Sequence, residues 1–267
     1  MKETTRGKLI LVEGISGSGK STLAKEWIVP FLESQGKKVL LDSEPTQGVI
    51  GKGIRKLIEG KRFGKAQLSR FSTFLEVLVV TTGAFVKMPK WQDRLVQKYA
   101  STLAMIPKKI QVGEPLTELD RQLLFLADRQ YDLDDTIIPA LLRGEWVVLD
   151  RYDLSNFAYG AAHGLEMYDL YKWHKAVLQE KYLVPDATIF VDVSPEIATE
   201  RLASSGKTID RYEKLESLCK VAAAYERALH LRIQRDRALV LRIDGEQRAS
   251  EVCALAVRAL RMSGLAK

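Results

Sequence analysis

The stretch Gly14-Ile15-Ser16-Gly17-Ser18-Gly19-Lys20-Ser21-Thr22 concentrates groups that can grip phosphate. Its spacing is Gly, four residues, then Gly-Lys-Ser, the pattern of a phosphate-binding loop. Gly14, Gly17 and Gly19 let the backbone wrap closely around phosphate oxygens with its N–H groups turned inward. Lys20 supplies a cation for the β- and γ-phosphates of a nucleoside triphosphate, and the Ser21 hydroxyl can ligate Mg²⁺. A second group of chemical interest is Asp150-Arg151-Tyr152. In a chain with a phosphate loop, a carboxylate ending a buried strand is a candidate for organising hydrated Mg²⁺. Arg151 beside it matches a phosphate bidentately.

These groups need elements to position them. Leu9-Ile10-Leu11-Val12 is a short apolar run suited to a buried parallel strand, and Thr22 to Gln35 favours helix. Strand, glycine loop and helix form the setting the motif requires, and the helix offers its positive end to the same anion. Further strand candidates lie near residues 38–42, 146–150, 187–193 and 238–243, with helices between them. That alternation predicts an α/β fold: a five-stranded parallel sheet covered on both faces. Glu44 and Arg55 follow the second strand and fall at the carboxyl edge, where open α/β sheets bind ligands. Residues 203–211 form a small, basic loop that could close over the triphosphate as a lid. Pro107 to Pro115 reads as loop, and the face of the long helix near the end runs through Leu215, Leu218, Ala222, Tyr225, Leu229 and Ile233.

Composition fits this picture. The chain has 267 residues, 46% hydrophobic and 28% charged, enough to build a core without a metal or disulfide staple. Cys219 and Cys253 fit reduced thiols, and His163, His174 and His230 lack metal-ligand spacing. The net charge of +7 suits anionic ligands, yet the basic residues are spread out rather than gathered into a nucleic-acid tract. No signal-like apolar start and no membrane-length apolar run occur, so a cytoplasmic protein without a membrane partner is expected. No repeat or linker divides the chain, so one domain spanning 1–267 is expected, with a helical insertion at about 60–117.

In their order, these blocks resemble the thymidylate kinases. The resemblance rests on Glu13 to Thr22; Glu44-Pro45-Thr46 with Gly51 and Ile54-Arg55; and Leu123 to Arg129 with Ile138 to Leu141. It continues through Asp150-Arg151-Tyr152 with Ser155 and Ala158-Tyr159, Pro185-Asp186 before Asp192-Val193, and Asp210-Arg211-Tyr212-Glu213. It covers residues 7–60 and 118–262. It implies a P-loop kinase, usually a homodimer, that moves the γ-phosphoryl of ATP onto the 5′-phosphate of thymidine monophosphate with Mg²⁺.

By position, Gly14, Ser16, Gly17, Ser18, Gly19, Lys20, Ser21 and Thr22 would hold ATP, with Ser21 and Asp150 at the metal. Arg55 and Arg151 would hold the acceptor phosphate, Arg129 would face the base and Phe125 would stack on it. Glu44, Ser155 and Tyr159 join the acceptor site. Lys207 and Arg211, with Arg201 beside them, would meet the transition-state charge. Three positions depart from the family pattern: Ser16 for an acidic loop residue, Ser43 for an arginine, and Gly160 for a base-reading glutamine. The same chemistry on another acceptor therefore stays open: a modified pyrimidine nucleotide, a nucleoside or a nucleic-acid 5′ end. So does a non-catalytic ATP-binding regulator.

Overall fold

A computed structural model describes residues 6–82, 90–206 and 209–266. Five strands form one parallel sheet: β1 Leu9–Glu13, β2 Val39–Ser43, β3 Trp146–Asp150, β4 Ala187–Asp192 and β5 Val240–Asp244. Their spatial order is β2-β3-β1-β4-β5. The chain leaves β1 toward one side of the sheet and later returns to the other. The order therefore reverses beside β1, and the crevice at the carboxyl ends of β1 and β3 is the natural ligand position. Register sets Val12 and Ser43 opposite Asp150, so the loops after three strands open at one level.

The central strands are apolar on both faces because both faces are covered. Leu9 and Leu11 of β1, with Val147 and Leu149 of β3, point into one core. Ile10, Val12 and Val148 point into the other. The period of two thus divides β1 between two helical layers.

The first layer holds α2 (Val49–Ile58), α3 (Lys65–Thr82), α4 (Lys90–Val112), α5 (118–142, opened by a π-helical stretch at Leu133–Ile137) and α7 (Met167–Leu178). The second holds α1 (20–34), α6 (Asp153–Ala162), α8 (Pro195–Ser204), α9 (Leu215–Asp236) and α10 (Ala249–Met262). Thr117 caps α5 with a capping box: it accepts from the Asp120 N–H at 3.1 Å and its own N–H reaches Asp120 Oδ2 at 2.8 Å. Among the described residues, no helix is long and apolar enough to cross a membrane.

Two expectations about the helices are corrected. Pro107 lies inside α4, not in a loop. Tyr99, Leu103 and Ile106 are fully buried at helical spacing and Ile110 packs against the same core, so the apolar face continues past the proline. Burying such side chains contributes about 1.5–3 kcal/mol each, which together exceeds the ~3 kcal/mol a helical proline costs. On α9, Ile233 is exposed and Arg232 is buried instead, paired with Asp153 and Asp236. A buried arginine at that turn was invisible to a reading by hydrophobicity alone.

Candidate active site

The phosphate loop leaves β1 and enters α1. Gly17 and Gly19 have φ of 82° and 88°, which side-chained residues rarely adopt, and a Cβ on Gly17 would sit 2.3 Å from the Ala198 carbonyl oxygen. Lys20 is buried, with Nζ 3.3 Å from the Ile15 carbonyl. Burial, and the neighbouring Arg151, lower its ammonium from the usual 10.5 to about 7. The Ser21 hydroxyl donates to Asp150 Oδ2, while Asp150 Oδ1 and the Ser18 hydroxyl are buried with no hydrogen-bond partner among the described residues. From α8, Arg201 reaches the Ser18 carbonyl at 3.4 Å and the Gly245 carbonyl at 2.9 Å.

Arg151 links this loop to a cleft. Its backbone is left-handed, φ 73°, a conformation that costs a non-glycine residue and is kept where the surroundings impose it. The surroundings are visible: its N–H donates to the Val12 carbonyl at 3.1 Å. Its guanidinium donates to the Gly14 carbonyl at 3.3 Å, Ser16 Oγ at 3.1 Å, Ser155 Oγ at 3.0 Å, and the hydroxyls of Tyr159 and Tyr225 at 3.4 Å each. It also lies 5.2 Å from the Tyr159 ring centroid. Beneath it, Glu13 is fully buried and accepts from the Tyr152 N–H at 2.8 Å, Ser155 Oγ at 2.7 Å and Tyr225 at 3.0 Å. Burial raises the Glu13 carboxyl against these donors.

The cleft measures about 660 Å³ with its open mouth, within the range of small-ligand sites. Phe125, Tyr152, Tyr159 and Tyr212 give it aromatic walls; Ser16, Arg151 and Ser155 lie toward the phosphate loop, and Glu44, Arg129, Asn156 and Gln122 line it too. Arg129 is buried and forks onto the Glu44 carboxylate, Nε to Oε1 at 2.8 Å and Nη2 to Oε2. Burial raises the Glu44 carboxyl, and Glu44 in turn holds Arg129 in its charged form. Arg129 Nη1 also donates to His174 Nε2, whose Nδ1–H donates to the Leu170 carbonyl. Since a guanidinium only donates and a carbonyl only accepts, the His174 tautomer is fixed. Burial first, then Arg129, lower this imidazole to about 3, so it is neutral.

The expected residues separate into two groups. Lys20, Ser21 and Asp150 meet at the loop, while Glu44, Phe125, Arg129, Arg151, Ser155 and Tyr159 meet at the cleft. Ser16, expected among the ATP contacts, also faces the cleft, 3.2 Å from the Tyr159 hydroxyl. Arg55 stands apart. It donates to the carbonyls of Pro45 and Thr46 and does not line the cleft. Arg211 is exposed, its guanidinium over the Tyr212 ring at 5.2 Å. Lys207 lies outside the described residues.

A family model described as thymidylate kinase matches residues 12–76 and 100–252. It spans the loop, Asp150-Arg151 and every cleft residue named above. The chain belongs to the thymidylate kinase family. That makes it a phosphotransferase of the nucleoside monophosphate kinase type. It is similar to a probable thymidylate kinase of Archaeoglobus fulgidus, 31% identical over 217 residues, 81% of this chain and 80% of the relative. A thymidylate kinase of Nitrosomonas europaea is 30% identical over 254 residues, covering 92% and 89%. One of Akkermansia muciniphila is 28% identical over 257 residues, covering 96% and 93%.

In this family member the family model leaves residues 77–99 unmatched between its two segments, inside the stretch of about 60–117 expected from sequence as a helical insertion. Several residues of the loop and the cleft were not among the site residues expected from sequence. Glu13, Gln122, Asn156, Asp210, Tyr212 and Tyr225 come from five separate segments. Glu13, Asp210 and Tyr212, inside matched blocks, and Asn156, next to Ser155, carried a local signal.

Proposed function

We propose that this protein transfers the γ-phosphoryl of ATP to the 5′-phosphate of thymidine monophosphate, giving ADP and thymidine diphosphate. The observation that carries the proposal is the reach of Arg151. One guanidinium contacts Gly14 and Ser16 on the phosphate loop and Ser155 and Tyr159 on the cleft. A donor phosphate on the loop and an acceptor phosphate in the cleft would meet at that group. An oxygen of the acceptor phosphate attacks the γ-phosphorus, and the bond to the bridging β,γ-oxygen breaks. ADP leaves with that electron pair.

Lys20 and the loop N–H groups hold the donor phosphates, and Arg151 holds the acceptor oxygens in line. Arg201, already on the loop, is the described cation best placed for transition-state charge. Arg55 fixes the Pro45-Thr46 turn that forms one wall. Phe125 lies along the base, and the acceptor oxygens of a thymine ring suit the Arg129 edge. Bound together with ATP, Mg²⁺ would supply positive charge to offset that of the phosphates. Ser21 and Asp150 would hold it. Both are hard oxygen donors, and the buried, unpartnered Asp150 Oδ1 fits a cation or its water.

The test is ADP release from Mg·ATP with thymidine, deoxyuridine, uridine, cytidine, adenosine and guanosine monophosphates. The highest kcat/KM should belong to thymidine monophosphate. Turnover of none of them overturns the proposal.

A further inference from the structure

Gln122 stands on α5, seven residues before Arg129, and is almost fully buried in the cleft wall. Its side chain lies over Gly160: a Cβ at that glycine would come 3.3 Å from Gln122 Cγ and 2.5 Å from Leu170 Cδ1. The bare backbone at Gly160 makes room for Leu170 and lets the Gln122 side chain pack close against it. Gln122 belongs to a directional chain of hydrogen bonds. Arg129 Nη1 donates to Asn156 Oδ1 at 3.5 Å, Asn156 Nδ2 donates to Gln122 Oε1, and Gln122 Nε2 donates to Glu118 Oε1 at 2.7 Å. Glu118 also accepts from the Tyr212 hydroxyl at 3.2 Å.

A guanidinium stands at one end and a carboxylate at the other, so neither amide can be turned around without losing a bond at each neighbour. Gln122 Oε1 is taken by Asn156, and Nε2 gives one of its two hydrogens to Glu118. The second hydrogen has no partner among the described residues. Arg129 is similar: Nε, both Nη1 hydrogens and one Nη2 hydrogen are engaged by Glu44, Asn156 and His174, leaving one N–H. Two donor hydrogens are therefore left at this end of the cleft, one on a cation and one on Gln122.

We infer that Gln122 is a specificity-determining residue, whose amide N–H selects a base edge that presents a carbonyl oxygen over one that presents an amino group. Thymine offers O4 as an acceptor at the position where cytosine carries an N4 amino donor. An amino group against Gln122 and Arg129 would set donor against donor and leave buried hydrogens unpaired, which costs a factor of ten or more. This inference rests on the cleft being the monophosphate site.

The measurement is kcat and KM for thymidine and deoxycytidine monophosphates with Mg·ATP, for wild type, Gln122→Glu and Gln122→Met. Gln122→Glu keeps an oxygen for Asn156, gives up the bond to Glu118 and replaces the free donor by an acceptor. It should lower the thymidine-to-deoxycytidine ratio of kcat/KM by about tenfold or more, chiefly through KM. Gln122→Met keeps the volume without polarity, and should lower the ratio by a smaller factor. Wild-type turnover with an unchanged ratio in both variants overturns the inference alone. Absence of wild-type turnover with both nucleotides overturns the reading of the cleft and the inference with it.

Discussion

Lys20 and Arg151 set a buried ammonium beside a half-buried guanidinium, and the physics of that pair is the starting point of the site. Removing both from water is unfavourable, and their mutual repulsion helps lower Lys20 to about 7. Anionic phosphate between them offsets both terms. His174 gives a pH dependence that can be worked through. It is neutral in the fold with a value near 3 and titrates at its ordinary 6.5 when unfolded. Between those values the unfolded chain binds the extra proton, so stability should fall as pH drops from 6.5 toward 3. The slope is at most about 1.4 kcal/mol per pH unit. His174→Gln removes this proton, so its acid unfolding curve should be shallower by up to that amount; equal slopes in urea titrations at several pH values would contradict the assignment. Much of this residue-level chemistry was legible beforehand. Lys20, Ser21, Asp150 and Arg151 show themselves through spacing and strand ends. His174 and Gln122 do not, because their meaning lies in partners 45 and 34 positions away.

Elements were read well where hydrophobic period and punctuation agree, and poorly where they conflict. All five strands are apolar runs bounded by turns, and each appears within a few residues of its expected place. The α4 helix shows the conflict. Proline argued for a loop, yet the buried stripe through Tyr99, Leu103 and Ile106 carries the helix across Pro107. The expected consequence is a gain from Pro107→Ala. Restoring the helical N–H relieves up to ~3 kcal/mol, and the more flexible unfolded chain takes back up to ~1 kcal/mol. A net stabilisation of about 1–2 kcal/mol should appear as a higher Tm. A lower Tm would mean the proline is matched to its site and that burial alone does not explain the helix. The α3–α4 pair also packs its Phe71, Leu75 and Leu78 into the same core as β1 and β3, so it shares that face of the sheet.

The whole molecule places its chemistry by topology. The sheet order reverses beside β1, so the loops after β1 and β3 open into one crevice, with α6 carrying Ser155, Asn156 and Tyr159 along it. Alternation of strands and helices announced a parallel sheet, but apolar runs carry no label for their neighbours, so the placement of β3 beside β1 became visible only in the fold. That placement makes Arg151 a bridge between the phosphate loop and the cleft. The most direct test is kcat/KM for thymidine monophosphate with Mg·ATP in Arg151→Ala, beside ATP affinity in the same variant. The account predicts a loss of ~10³-fold, about 4 kcal/mol of transition-state stabilisation, with ATP affinity changed far less and the fold retained. A folded Arg151→Ala protein that turns over within tenfold of wild type would contradict it.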